Sequence, residues 1–263
     1  MTMLNSSTNA SAPLVVLTKA GSSATITLRR PKLNPINDEL LNQLDGALAR
    51  LEADPNLTAV RIKSDQSAFS AGADLAMVKG RLGSDAGAIE MTETTRRFHR
   101  VYNRLASLPA VTVAEIAGHA LGGGLELALA CDLRIAAREA KLGLPEARMG
   151  LLPGAGGTQR LTELCGPGVA ARLILTCELI SGTEAERLGI VQWAYDAKDL
   201  EAATDQLMAR IEKLSAPALR IAKRCIGHAA AISKEGATAE IEGIGALIKT
   251  SEAEWRVCEF LNG

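Results

Sequence analysis

The sequence predicts an α/β protein that closes with a helical segment. Three observations carry this reading. β-prone runs alternate with helical patterns as far as Tyr195, which is the signature of strand and helix layers. From Leu200 onward the pattern is almost entirely helical. The 263 residues, 47% of them hydrophobic, are enough for one large compact domain or one domain with an appendage. The expected division is a disordered tail over residues 1–12, an α/β core over 13–199 and a helical C-terminal region over 200–263.

Leu14 to Thr18 and Ala24 to Arg29 are β-prone runs separated by Ala20-Gly21-Ser22-Ser23, a hairpin pattern. A helix follows, with Asn37 as N-cap and with Asp38 and Glu39 at the positive end of its dipole. Leu40, Leu41, Leu44, Leu48 and Leu51 form its apolar stripe. Ala59 to Lys63 returns to strand. Val111 to Ile116 is a further strand, leading through a glycine triplet into a helix over Leu125 to Cys131. Leu133 to Ala136 reads as the next strand. Beyond Leu200, Pro217 is placed to open one helix and Ser233 to cap another.

A formal net charge of -1 offers no basic face for nucleic acid or an anionic membrane. No apolar run approaches the roughly 20 residues that span a bilayer. The five cysteines, Cys131, Cys165, Cys177, Cys225 and Cys258, show no CxxC pair and read as reduced core residues of a cytoplasmic protein. Residues 1–12 lack the charged segment of a secretory signal and the arginines of a transit peptide. His99, His119 and His228 stand at unrelated spacings with no metal-binding pattern, so no metal is expected.

Two glutamates stand in apolar surroundings. Glu126 follows Gly122-Gly123-Gly124 in Leu-Glu-Leu-Ala-Leu-Ala-Cys, and Glu146 lies in Gly-Leu-Pro-Glu-Ala-Arg-Met-Gly. Removing a carboxylate from water disfavours its charged form and shifts its pKa toward the range useful for proton transfer. The bland alternatives are a buried ion pair or a carboxylate favouring a helix N-terminus. The glycine triplet alone is as readily a tight turn as a ligand cradle. It completes neither GxGxxG nor GxxxxGK[ST]. Ala68-Phe69-Ser70-Ala71-Gly72 approaches the GxSxG elbow of serine hydrolases, with alanine in the first position. Arg220, Lys223 and Arg224 share a helical face, by default a solvated one.

Four motifs in order resemble the enoyl-CoA hydratase/isomerase (crotonase) superfamily over nearly the whole chain. They are Leu28-Arg29-Arg30-Pro31-Lys32-Leu33-Asn34-Pro35-Ile36-Asn37, Ala68 to Leu75, Ala120 to Asp132, and Gly143 to Leu161. The first is one residue shorter than the family's common form. The resemblance implies a crotonase-like spiral of β-β-α units as the catalytic core, with a helical trimerisation region at the C-terminus. The expected assembly is a homotrimer or a dimer of trimers.

The resemblance further implies an acyl-CoA substrate and no cofactor, coenzyme A being part of the substrate. The Ala73 and Gly123 N–H groups would form an oxyanion hole for the thioester. Glu126 and Glu146 would be the acid/base pair of a hydratase. Ala71, Ala73, Asp74, Leu75, Ala76 and Gly123 would line the CoA path, with Lys32 and Leu33 on the nucleotide or pantetheine side. Met77, Val78, Leu82 and Phe98 are candidates for the acyl pocket, whereas Asp132 and Arg160 read as structural anchors. Arg220, Lys223 and Arg224 could also meet CoA phosphate. A double-bond isomerase, another crotonase-fold catalyst and a non-catalytic acyl-CoA-binding protein are the alternatives.

Overall fold

The computed structural model describes residues 12–229 and 234–262. The expected disordered tail therefore lies outside the described residues except for Ala12, as does the Ser233 cap. β1 (Val15–Ala20) and β2 (Ser23–Leu28) pair antiparallel, with Ala20 opposite Ser23. The connection is thus a two-residue turn at Gly21-Ser22. Gly21 supplies the left-handed φ of +57° that such a tight hairpin uses. Ala20 and Ser23, expected in the loop, both extend the ladder.

α1 (Asp38–Glu52) begins as expected, with Asn37 Oδ1 accepting from the Leu40 N–H at 3.0 Å. Its five leucines are all buried. β3 (Ala59–Ser64) runs parallel to β2. Next come α2 (Leu75–Lys79), capped by Asp74, and the 23-residue α3 (Asp85–Ser107), capped by Ser84. β4 (Val111–Ile116), β5 (Ala120–Leu121) and α4 (Gly123–Leu129) follow. α4 starts two residues before the predicted Leu125, because the chain reverses at Gly122 and the helix is under way at once.

β6 (Leu133–Ala137) and β7 (Lys141–Gly143) lead to a 3-10 turn over Glu146–Met149. α5 (Gly157–Leu175) bends at Gly166, just before Pro167. β8 (Ile180–Ser181), α6 (Gly182–Arg187) and β9 (Trp193–Tyr195) complete the α/β part. Among the described residues four helices follow: α7 (Ala197–Glu212), α8 (Ala216–Ala229), α9 (Lys234–Leu247) and α10 (Ser251–Asn262).

One sheet has the order β1-β2-β3-β4-β6-β9, parallel except for the first pair. A smaller sheet has the order β5-β7-β8. Both faces of the central strands are covered, so Val60, Ile62, Val113, Ala114 and Ile135 are all buried. α7 is tied to the sheet by charge. Arg61 on β3, itself buried, pairs with the buried Glu115 on β4 and reaches Asp205 at 2.7 Å.

A second apolar cluster joins Val78, Ala88 and Met91 to Ile244, Ile248 and Val257, so α9 and α10 fold back over α2 and α3. Among the described residues no helix is long and apolar enough to cross a membrane. All five cysteines are unbridged, but Cys225 is exposed, which corrects the expectation of a core position for it. α8 turns Lys223 and Arg220 toward the body of the protein, and Cys225 lies with the exposed Ile221 and Ile226 on the outer side.

Candidate active site

Two loops meet where the sequence placed the oxyanion groups. Ser70 and Ala120 form a parallel bridge, with the Leu121 N–H donating to Ser70 O at 3.0 Å. Beyond it Gly72 turns with φ +96°. A Cβ there would lie 2.8 Å from Leu121 O and 3.3 Å from Gly123 N, so only glycine permits this approach.

The Ala73 amide is set by a second bridge. Ile36 N–H donates to Gly72 O (2.7 Å), and Asp74 N–H donates to Ile36 O (2.9 Å). In that parallel arrangement the Ala73 N–H points to the opposite side, away from Ile36. Gly123 opens α4, where a first-turn N–H has no acceptor within the helix. The position of a Cβ on Gly123 lies 3.6 Å from Ala73 N, so the two amides are neighbours.

The carboxylates flank the same glycines. Glu126 is 2% exposed, and its Oε1 accepts from the Ala155 and Gly157 N–H groups, each at 2.8 Å. Its Oε2 lies 3.8 Å from the position of a Cβ on Gly123. Glu146 is half-buried at the start of the 3-10 turn, and its Oε1 lies 2.8 Å from the position of a Cβ on Gly122. Adjacent glycines thus present one face to each carboxylate. Among the described residues no cluster of three His, Cys, Asp or Glu could hold a metal.

α3 forms the wall behind these groups. Phe98 Cε1 is 3.6 Å from the position of a Cβ on Gly123. Its ring meets Tyr102 edge to face, with centroids 5.5 Å apart. The Tyr102 hydroxyl donates to Gly123 O at 2.9 Å. Complete burial, reinforced by the negative charge of Glu126, pushes that hydroxyl well above its ordinary pKa, so it remains a donor. The sequence reading did not identify Tyr102. Its signal was the spacing of Met91, Thr95, Phe98, Tyr102 and Leu105 after the Ser84 cap.

The early motif braces the first loop. Leu33 and Asn34 both have left-handed backbones, with φ of +72° and +50°. Asn34 is fully buried, with Oδ1 accepting from Arg30 N–H (2.7 Å) and Nδ2 donating to Ser64 Oγ (2.7 Å) and Phe69 O (3.1 Å). Leu33 O accepts from the Ala71 N–H at 2.9 Å. The Ser70 hydroxyl, with no exposure, donates to Asn34 O at 2.7 Å. It serves as a loop tie, and the serine-hydrolase alternative has no accessible nucleophile there.

The remaining expected residues divide into rim and framework. Lys32, Leu33, Ala71 and Ala76 are exposed, while Leu75 is half-buried. The Asp74 side chain is held by the framework: it pairs with Arg30 at 2.5 Å and caps α2 through the Ala76 N–H at 2.8 Å. Met77, Val78 and Leu82 belong to the second apolar cluster, against which Ala73 also packs, whereas Phe98 belongs to the main core. Asp132 and Arg160 are anchors. Asp132 accepts from Thr112 and pairs with Lys223 at 2.6 Å, so Lys223 is engaged in the framework.

Two neighbouring amides beside two carboxylates are an arrangement that can exchange protons next to a carbonyl gaining negative charge on oxygen. The chain belongs to the enoyl-CoA hydratase/isomerase family, whose model matches residues 18–254. A probable enoyl-CoA hydratase of Mycobacterium bovis is 40% identical over 78% of this chain and 77% of that protein. A short-chain-enoyl-CoA hydratase of Clostridium acetobutylicum is 33% identical over 94% of each. The crystal structure of enoyl-CoA hydratase from Bacillus halodurans superposes with a TM-score of 0.87 at 27% identity, covering 94% of this chain and 99% of that one. The crotonase-type fold follows from this agreement.

Proposed function

We propose that the protein is an enoyl-CoA hydratase that adds water reversibly across the double bond of a 2-enoyl-CoA thioester. The observation that carries the reading is the convergence of Glu126 and Glu146 on the adjacent glycines Gly123 and Gly122, beside the Ala73 amide. The two N–H groups would hold the thioester oxygen as it becomes an enolate. Preorganised donors of this kind are worth about 10²- to 10³-fold each in rate.

In the forward direction Glu126 takes a proton from water as the hydroxyl oxygen bonds to C3. The C2–C3 π electrons move toward the thioester oxygen, and C2 then takes a proton from Glu146. One water is added in all. Glu126 ends protonated and Glu146 ionised, and exchange between the two as a coupled pair restores them. No group beyond the CoA of the substrate takes part.

Ala71, Leu75 and Ala76 would line the CoA path, with Lys32 and Leu33 toward its nucleotide end. The exposure of Lys32 and Leu33 at the rim supports their part. The backbone of Asp74 would complete that wall. The family likeness supports a homotrimer or a dimer of trimers.

The test is loss of the conjugated-thioester absorbance when enzyme is added to crotonyl-CoA, with a 3-hydroxyacyl-CoA product by mass spectrometry. Glu126→Gln and Glu146→Gln should each abolish most of the rate while CoA-thioester binding persists. Full rates in both variants would overturn the mechanism.

A further inference from the structure

Arg160, on the first turn of α5, is 6% exposed, and its guanidinium makes two directed bonds. Nη1 donates to Ala155 O at 2.9 Å, and Nη2 donates to Asn103 Oδ1 at 2.6 Å. Ala155 is the residue whose N–H grips Glu126 Oε1. The two faces of one short loop are therefore held from opposite sides, its carbonyl by Arg160 and its amides by the carboxylate.

The glycines between them leave no slack. A Cβ on Gly156 would fall 2.1 Å from Arg160 Nη1, and one on Gly157 would fall 2.8 Å from Glu126 Oε1. Gly156 also has φ +97°, a conformation that side chains other than glycine resist. Asn103, the brace for Arg160, follows Tyr102, which holds the Gly123 carbonyl. Adjacent residues of α3 thus fix the loop that grips Glu126 and the Gly123 carbonyl against a common support.

We propose that Arg160, braced by Asn103, is a positioning residue that sets the reach of Glu126 toward the reacting carbon. This rests on the reading of Glu126 as the water-activating base. Arg160 is buried, with its guanidinium turned to Ala155 and Asn103. It acts by fixing the loop that fixes one carboxylate oxygen, and hence the direction of the carboxylate. Displacement of a reacting group by about 1 Å can cost on the order of 10²-fold in rate.

The experiment compares steady-state hydration of crotonyl-CoA by Arg160→Met, Arg160→Lys, Asn103→Ala, Glu126→Gln and the double variants with Glu126→Gln. Arg160→Met should lower kcat by about 10- to 100-fold with KM changed less than about threefold. Arg160→Lys, able to restore one bond to Ala155 O, should recover part of the loss. Asn103 is exposed at the surface, so Asn103→Ala should fold normally and show a smaller loss of the same kind. It carries the test if Arg160→Met does not fold. In the Glu126→Gln background neither change should lower kcat by more than about twofold to threefold, because residues acting through one group are not additive.

Wild-type kcat in a folded Arg160→Met, or in Asn103→Ala where Arg160→Met does not fold, would overturn the inference and leave the base assignment intact. Full multiplication of the losses in the double variants would do the same, since it marks a merely structural role. A wild-type rate in Glu126→Gln would instead remove the base assignment, and the inference with it.

Discussion

Gly122 and Glu146 sit so close that a Cβ on the glycine would press on the carboxylate, lying 2.8 Å from Glu146 Oε1 and 3.4 Å from its Cδ. The backbone at Gly122, φ +49° and ψ -127°, is also one that other residues reach only under strain. Gly122→Ala should therefore move the carboxylate as well as strain the turn. The expected result is a fall in kcat of about 10²-fold, with a destabilisation of about 1–3 kcal/mol. Kinetics on crotonyl-CoA and denaturant unfolding of the same preparation separate the two. A kcat within twofold of wild type would mean that Glu146 is not held against this glycine during turnover.

Tyr102→Phe removes a single oxygen from the core. The Gly123 carbonyl loses a buried donor, at a cost of about 1–3 kcal/mol in unfolding free energy. The Gly123 amide is loosened, not deleted. The fall in kcat should thus be smaller than the roughly 10²- to 10³-fold expected when a donor is lost. Urea unfolding and initial rates measure the two parts, and unchanged stability would show that the bond is dispensable.

Asp74 ties the loop that carries the Ala73 amide to acid sensitivity. Burial pushes its carboxyl upward, but the Arg30 guanidinium and the Ala76 and Met77 amides outweigh this and hold it below its ordinary value of 3.8. A depressed folded-state pKa contributes stability that is complete above the unfolded value and is lost as the pH falls through the folded one. Asp74→Asn should accordingly be less stable than wild type at pH 7, and the gap should close below about pH 4. Unfolding in urea at pH 7, 5, 4 and 3 checks this, and a gap independent of pH would contradict it.

The cysteines should react in an order set by burial. Burial drives the Cys131 thiol up to about 12, so it stays protonated and inert at neutral pH. Cys177 is likewise buried, whereas Cys225 is exposed. Brief treatment with iodoacetamide at pH 8 should label Cys225 and spare Cys131 and Cys177 until the protein is unfolded. Peptide mass spectrometry reads the order directly. Early labelling of Cys131 would indicate that the end of α4 opens in solution.

Local chemistry made part of this molecule legible in its sequence. Asn37, the leucines of α1 and the strand Val111–Ile116 stand where their patterns put them, because a cap or an apolar stripe acts within a few residues of itself. The two glutamates drew notice because they sit in apolar runs. α3 was passed over, although it is the longest helix described, because its polar outer face and the Gly87 near its start dilute the apolar spacing. Tyr102 and Asn103 gained meaning only through partners 21 and 57 residues away, contacts that no local spacing encodes. The Gly122 backbone was visible as a glycine, but its closeness to Glu146 depends on two loops meeting.

Glu126 and Glu146 rest on unlike supports. Glu126 is planted in α4, every residue of which is buried. Glu146 rides on four residues of 3-10 turn, closed by Gly150, where a Cβ would come 3.0 Å from Ala253 on α10. One carboxylate is thus built into the core and the other onto a short turn with no buried residue. Rebuilding that short turn and the helix behind it would re-aim the second carboxylate while the amide pair and Glu126 stay where they are. A scaffold divided in this way can be retooled for a different proton-transfer outcome without refolding its core.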